Sequence, residues 1–355
     1  MNFITQKFAG IKDKGESLPR ILYYWFPELI SATILISLPP MIDSWIISQL
    51  GSLTMYGALG LGVNFLHTSI KLAEAIPTAA IAIIGRHNGA KEYDECGKSL
   101  GDTFWTTFAI GFFVFIVIYA FSFGIYRWNN VSTAMVAVGA PFLRLKALGV
   151  FLTFMSLGLL GFMRAVKNTR IPMLLNIIGI ASFIAFDYTL VLGKFGFQEY
   201  GLLGSAYATL LQQSIILFGA LGYILFNTDY KKYFSNTFFS VFRLKKALHI
   251  LSLSWPIIID KSSISLSYVW LLGMVASFGE QSIATFDVVK NLERFAFNPA
   301  VASAAIITFL VSNALGARDN EGAMANIKKI YLLTFLTVAP VFFLLCFNAS
   351  YCISF

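Results

Sequence analysis

Nine long apolar runs separated by short polar connections organise the chain: residues 21–50, 53–84, 104–126, 138–163, 171–193, 202–226, 247–277, 283–315 and 330–347. A helix crosses the hydrocarbon core of a bilayer with about 20 apolar residues, so each run predicts one membrane-spanning helix. Several exceed that length, which predicts tilt, kinks or helix continuing beyond the lipid. Strict alternation of apolar and polar positions, the signature of a membrane β-barrel, is absent. The first run is too long for a signal-peptide core and lacks a small-residue cleavage pattern, so it reads as an uncleaved span. The predicted fold class is therefore an all-α integral membrane protein.

One carboxylate stands out in the first run. The stretch 38–51, LPPMIDSWIISQLG, places Asp43 a few residues after Pro39 and Pro40. A charge at the centre of a span costs about 2.5–3.5 kcal/mol on insertion scales, so such groups face a protein interior or a water-filled path. The prolines remove two backbone donors and predict a kink beside the acid. A buried acid next to a kink suits an ion-coupled transporter; the alternative is a carboxylate neutralised by a structural partner.

Charge along the chain predicts orientation. Lys and Arg concentrate on alternate connections: Lys7, Lys12, Lys14 and Arg20; Arg86, Lys91 and Lys98; Arg164, Lys167 and Arg170; Lys231, Lys232, Arg243, Lys245 and Lys246; and Arg318, Lys328 and Lys329. The opposite side has Arg127 and Lys194, with Arg144 and Lys146 near the outer start of the fourth run. Cytoplasmic loops collect the basic residues, so a multi-pass protein of the plasma (inner) membrane with a cytoplasmic N-terminus is expected. Composition agrees: 57% hydrophobic and 12% charged residues is too little charge for a soluble surface. The net charge of +8 is spread between the runs, which argues against a nucleic-acid partner. Cys96, Cys346 and Cys352 have no metal or redox spacing, though Cys346 and Cys352 are close enough in sequence to pair. His67, His87 and His249 are isolated. Trp25, Trp105, Tyr126 and Trp128 near run ends predict an interfacial aromatic belt.

The chain also repeats itself. Phe26-Pro27 and Trp255-Pro256 lie 229 apart, Gly51 and Gly279 lie 228 apart, and Asn64 and Asn291 lie 227 apart. Gly89-Ala90 and Gly316-Ala317, again 227 apart, are each followed by a basic residue and two acids with one residue between them. Six runs per repeat is an even number, so both copies run the same way through the membrane. Two full copies would need about 450 residues; the sequence reaches Phe355 after three runs of the second copy.

Four segments carry a family resemblance: MIDSWIISQLG; GRHNGAKEYDE; GFMRAVKNTRIPMLLNIIG with FDYTLVLGKFGFQEYGLLGSAYAT; and NLERFAFNPAVASAAIITFLVSNALGARDNEGA. In order and spacing the chain resembles the MATE (multidrug and toxic compound extrusion) transporters over residues 20–347. The resemblance implies a two-lobe helical bundle with a complete six-helix N-lobe and about three helices of the C-lobe. The layout expected is a tail at 1–20, the N-lobe at 21–228, a cytoplasmic linker at 229–246 and a partial C-lobe at 247–355. It also implies an antiporter exporting small amphiphilic or cationic compounds against sodium or protons by alternating access. Small-molecule substrate and membrane lipid are the partners, and no cofactor beyond the coupling ion. A monomer is expected, with association covering the absent helices as the alternative.

The resemblance matches Asp43 and Asp187 to an N-lobe cation or proton site, the only metal site expected. The bland reading of Asp187 is that it binds backbone near the end of its span. Relatives often carry Asn four residues before the second aspartate; here Phe183 stands there beside Ser182, leaving Asn176, Tyr188 or water to complete ligation. Secondary candidates for the lobe interior are Asp260, Glu293, Asp287, Asn64 and Asn291. Lys71 and Glu74, and Asp287, Lys290, Glu293 and Arg294, have helical spacing that suits internal salt bridges or a charged cleft. Glu28 is expected near the cytoplasmic interface. Within the spans, Glu28, Asp43, Glu74, Asp187, Asp260, Asp287 and Glu293 face Lys71, Lys261, Lys290 and Arg294, an acidic balance that disfavours a flippase for a lipid-linked precursor. A truncated, non-transporting relic is the other alternative. The spans have neither a DxxxD cluster nor HExxH, so no enzyme is expected.

Overall fold

The computed structural model describes residues 14–36, 38–129, 131–234, 243–276 and 280–347, except for some side chains within the helices. These residues form ten α-helices and no strand: α1 (Leu18–Ile36), α2 (Leu38–Ser48), α3 (Leu53–Gly89), α4 (Tyr93–Trp128), α5 (Thr133–Ala165), α6 (Arg170–Leu192), α7 (Leu202–Phe226), α8 (Leu244–Ala276), α9 (Glu280–Gly316) and α10 (Asn320–Phe347). A 3-10 helix, Thr228–Tyr233, follows α7. Gly279 and Cys352, and the side chains of Cys346, Asp287, Asn291 and Arg294, lie outside the described residues.

The first apolar run is helical on either side of residue 37, as α1 and α2. Pro39 and Pro40 lie in α2, four and three residues before Asp43. Eight segments among the described residues are long and apolar enough to cross a membrane, with α1 and α2 together forming one, Leu18–Ser48. The seventh expected span is the helix α8, which carries Lys245, Lys246, Asp260 and Lys261. At 37 residues, α3 reaches about 55 Å, well past a hydrocarbon core of about 30 Å.

Helix α5 is the hub of the first six runs, packed on α3, α4 and α7. Helix α6 lies against α7, α1 and α2; α9 joins α3, α1 and α10; and α8 lies on α3. One buried apolar cluster joins Ile21, Ile84, Leu100, Phe162, Leu217 and Phe309. A second joins Ile46, Ile76, Tyr126, Phe154 and Val191. Two aromatics expected in the interfacial belt are instead internal. Trp25 is buried and donates its indole N–H to Ser303 Oγ at 3.0 Å. Tyr126 is fully buried and donates to the Ala58 carbonyl at 2.7 Å. Their rings meet protein where lipid headgroups were expected, and each polar tip finds a protein acceptor. Trp128 is exposed.

The two copies of the Gly-Ala motif meet where α3 and α9 cross. A Cβ on Gly89 would lie 1.9 Å from the Asn313 carbonyl oxygen, and one on Gly316 would lie 1.9 Å from that of Arg86. Beside them Asn88 Nδ2 donates to Asn313 Oδ1 at 2.7 Å, and Asn313 Nδ2 donates to the Ala165 carbonyl at 2.9 Å. Gly89→Ala is therefore expected to force the helices apart and cost about 1–3 kcal/mol, the usual range for overpacking. Gly60→Ala on the same helix meets open space and is expected to gain up to about 1 kcal/mol of helix propensity. Unfolding of the purified chain in graded denaturing detergent would order the two variants.

The basic end is tied across the fold. Arg243 grips Asp102 through Nε at 2.9 Å and Nη2 at 2.6 Å, and reaches Glu95 through Nη1 at 2.9 Å. Ahead of α1, Glu16 accepts from Lys167 at 2.7 Å and its amide donates to Asn326 Oδ1 at 2.8 Å. Burial alone would raise the Glu16 carboxyl, but Lys167 and Arg20 together outweigh it and hold the group below the usual carboxylate range.

Candidate functional site

Packing of α2 on α6, and of α5 on α7, brings three ionisable groups together inside the first six runs. Asp43 is buried on α2, Asp187 is fully buried on α6, and Lys146 is buried on α5. Lys146 Nζ lies 3.2 Å from Asp43 Oδ2 and donates to Thr209 Oγ1 on α7 at 2.8 Å. Gly149 permits this approach: a Cβ there would lie 3.2 Å from Thr209 Cγ2. Asp187 interacts electrostatically with both Asp43 and Lys146. Neither of its oxygens has a hydrogen-bond partner, nor has Asp43 Oδ1 or Ser205 Oγ.

The charge arithmetic is simple. Two carboxylates share one ammonium, so one negative charge is left if all three ionise. Burying it unpaired is expensive, and a single proton or monovalent cation removes the excess. A second cation held about 4 Å from the ammonium would meet repulsion of about 4 kcal/mol at an effective dielectric of 20.

The structure brings Asp43 and Asp187 together; of the secondary candidates, Asp260, Asn64 and Glu293 have described side chains, and none is hydrogen-bonded to that pair. Asp260 and Asn64, expected in a lobe interior, are exposed. Asp260 neighbours Lys261, which turns to Glu74 on α3 at 2.5 Å; adjacent helical residues point about 100° apart, which sends Asp260 elsewhere. Glu74 also pairs with Lys71 at 3.2 Å, as the spacing predicted. Glu293 accepts the Tyr268 hydroxyl at 2.6 Å, and Lys290 lies 5.3 Å from the Tyr268 ring centroid. Glu28, expected near an interface, is buried against Arg164 at 2.9 Å.

None of the protein groups considered for completing ligation reaches Asp187 through a hydrogen bond. Asn176 has both amide atoms buried without a partner, but it sits eleven positions away on the same helix, about 16 Å along the axis. Ser182 donates to the Ile178 carbonyl, and Phe183 turns its ring toward Lys146, 5.9 Å from Nζ. Sequence reasoning missed Lys146 itself by assigning it to the outer edge of its span. The available signal was its position eight residues inside the apolar run at 138–163.

A multi-pass helical bundle with an incompletely neutralised acid–base cluster between its helices is built on the plan of membrane transporters. Comparison with known proteins agrees. The chain belongs to the MatE family, whose profile matches residues 29–189 and 256–355, a family of transporters and not of enzymes. It is 25% identical over 296 residues to the probable multidrug resistance protein YoeA of Bacillus subtilis, covering 79% of this chain and 64% of that one. It is 28% identical over 196 residues to a probable multidrug resistance protein NorM of Thermotoga maritima, covering 51% and 39%. The chain thus spans less than two-thirds of these relatives' length. Among solved structures, a MATE protein in the bent conformation aligns with TM-score 0.83 at 20% identity, covering 94% of this chain and 73% of that one. An outward-facing multidrug resistance MATE family transporter of the MOP superfamily aligns with TM-score 0.83 at 18% identity, covering 94% and 72%. These likenesses bear out the all-α, MATE-like fold expected from the sequence.

Proposed function

We propose that the chain exports small amphiphilic, cationic compounds in exchange for a monovalent cation, by alternating access, with Asp43 and Asp187 as the coupling pair. The observation that carries this reading is Asp187, fully buried with both oxygens unpartnered beside a second carboxylate. A group that must gain a positive charge to become neutral can favour one packing of α1, α2 and α6 over another, which is what coupling requires. Pro39 and Pro40, four and three residues before Asp43, remove two backbone donors and so supply a joint for that repacking. Family membership supports the direction of transport: the curated relatives carry names of multidrug resistance proteins. The proposal includes a plasma-membrane location with the N-terminus in the cytoplasm, supported by the distribution of Lys and Arg. It also includes division at residues 229–246 between a six-helix lobe and the following helices, and function as a monomer.

Energised cells expressing the chain are expected to accumulate less ethidium than cells with an empty vector, and to lose that difference when a protonophore and sodium removal collapse both ion gradients. Equal accumulation with the protein stably inserted would reject the proposal.

A further inference from the structure

A carboxylate pair that accepts sodium and protons alike leaves Lys146 without a role. We infer that the Lys146 ammonium is a resident counter-ion seated where a coupling metal cation would bind, so that the Asp43–Asp187 site takes up protons and excludes sodium. This inference rests on the reading of that pair as the coupling site and specifies its ion.

The ammonium already uses the oxygens that two helices turn into the site, Asp43 Oδ2 at 3.2 Å and Thr209 Oγ1 at 2.8 Å. Its remaining surroundings include the rings of Phe142 and Phe183, with centroids at 5.4 and 5.9 Å. Aromatic faces attract an ammonium but offer no oxygen to a hard metal cation, which binds through oxygen ligands. Lys146 is tethered to α5 and buried, so it cannot leave the site as a hydrated ion would. A sodium ion entering beside it would meet a fixed like charge and an oxygen set already engaged. A proton has neither difficulty. It needs one oxygen, and Asp187 Oδ1, Asp187 Oδ2 and Asp43 Oδ1 are buried without partners. One proton also removes the one excess negative charge.

The neighbouring helices bring no other ionisable group that competes among the described residues. Helix α7 contributes the hydroxyls of Thr209 and Ser205. Arg144, two residues from Lys146, turns to α4, where Nε donates to Ser122 Oγ at 2.9 Å. Glu28 of α1 is held by Arg164, and Glu74 of α3 by Lys71 and by Lys261 of α8. The three-group cluster therefore sets its own charge balance, and Lys146 determines which ion can change it.

Binding of radioactive sodium to the purified full chain in detergent tests this, at ionic strength held constant with choline chloride. The wild type is expected to show no saturable binding. Lys146→Met is expected to gain it, and Lys146→Met with Asp187→Asn to lose it again. Saturable binding by the wild type that Asp187→Asn abolishes would overturn the inference, as would a folded Lys146→Met protein that binds no sodium. If Lys146→Met does not fold, Lys146→Gln carries the same arm, and the wild-type result decides alone if neither folds. Binding needs no turnover, so failure of the ethidium experiment would reject export without altering this result.

Discussion

Replacing both Asp43 and Asp187 by Asn is expected to destabilise the chain by about 3–5 kcal/mol, the cost of leaving a buried charge without its partner. Each single replacement is expected to cost far less. Lys146 is 3.2 Å from Asp43 and interacts electrostatically with Asp187, so either acid alone still balances the ammonium. Only the double variant strands it. The effects should be strongly non-additive, as expected for groups that share one partner. Adding Lys146→Met to the double variant removes the stranded charge and is expected to recover most of the loss, because a buried ion cluster can be replaced by apolar groups of similar volume at little cost. Unfolding of the four proteins in graded denaturing detergent completes the comparison. Additive losses from the two single variants, or no recovery on adding Lys146→Met, would show that Lys146 does not depend on this pair.

Much of this arrangement was legible in the sequence because membrane burial makes charge conspicuous. Asp43 stood out as an acid within an apolar run, the family resemblance paired it with Asp187, and the structure places both in one cluster. The 227-residue spacing of Gly89-Ala90 and Gly316-Ala317 marked equivalent positions, and those glycines touch each other's helices. What the sequence could not show was which side of each helix meets protein. Lys146 looked like a residue near an outer edge because counting Lys and Arg along a run ignores depth. Its burial follows from α5 being packed on three neighbours. Trp25 and Tyr126 have the amphipathic rings of interfacial residues, yet each found its acceptor on a neighbouring helix. Asp260 and Asn64 are exposed: an apolar run places a residue in a span without saying what it meets there.

Asp187→Asn is expected to leave the chain folded and to abolish its coupling. The substitution keeps the shape of the side chain and leaves Asp43 to balance Lys146, so the cluster is neutral without taking up a cation. A site that is neutral in both packings of the helices gives an ion no differential affinity, and an ion without differential affinity shifts no equilibrium. The direct measurement is the initial rate of ethidium efflux from energised cells expressing Asp187→Asn or the wild type at matched membrane abundance. The variant is expected to be slower by about 5- to 150-fold, the range spanned by a coupling free energy of about 1–3 kcal/mol. Equal rates from the two proteins would contradict a coupling role for Asp187.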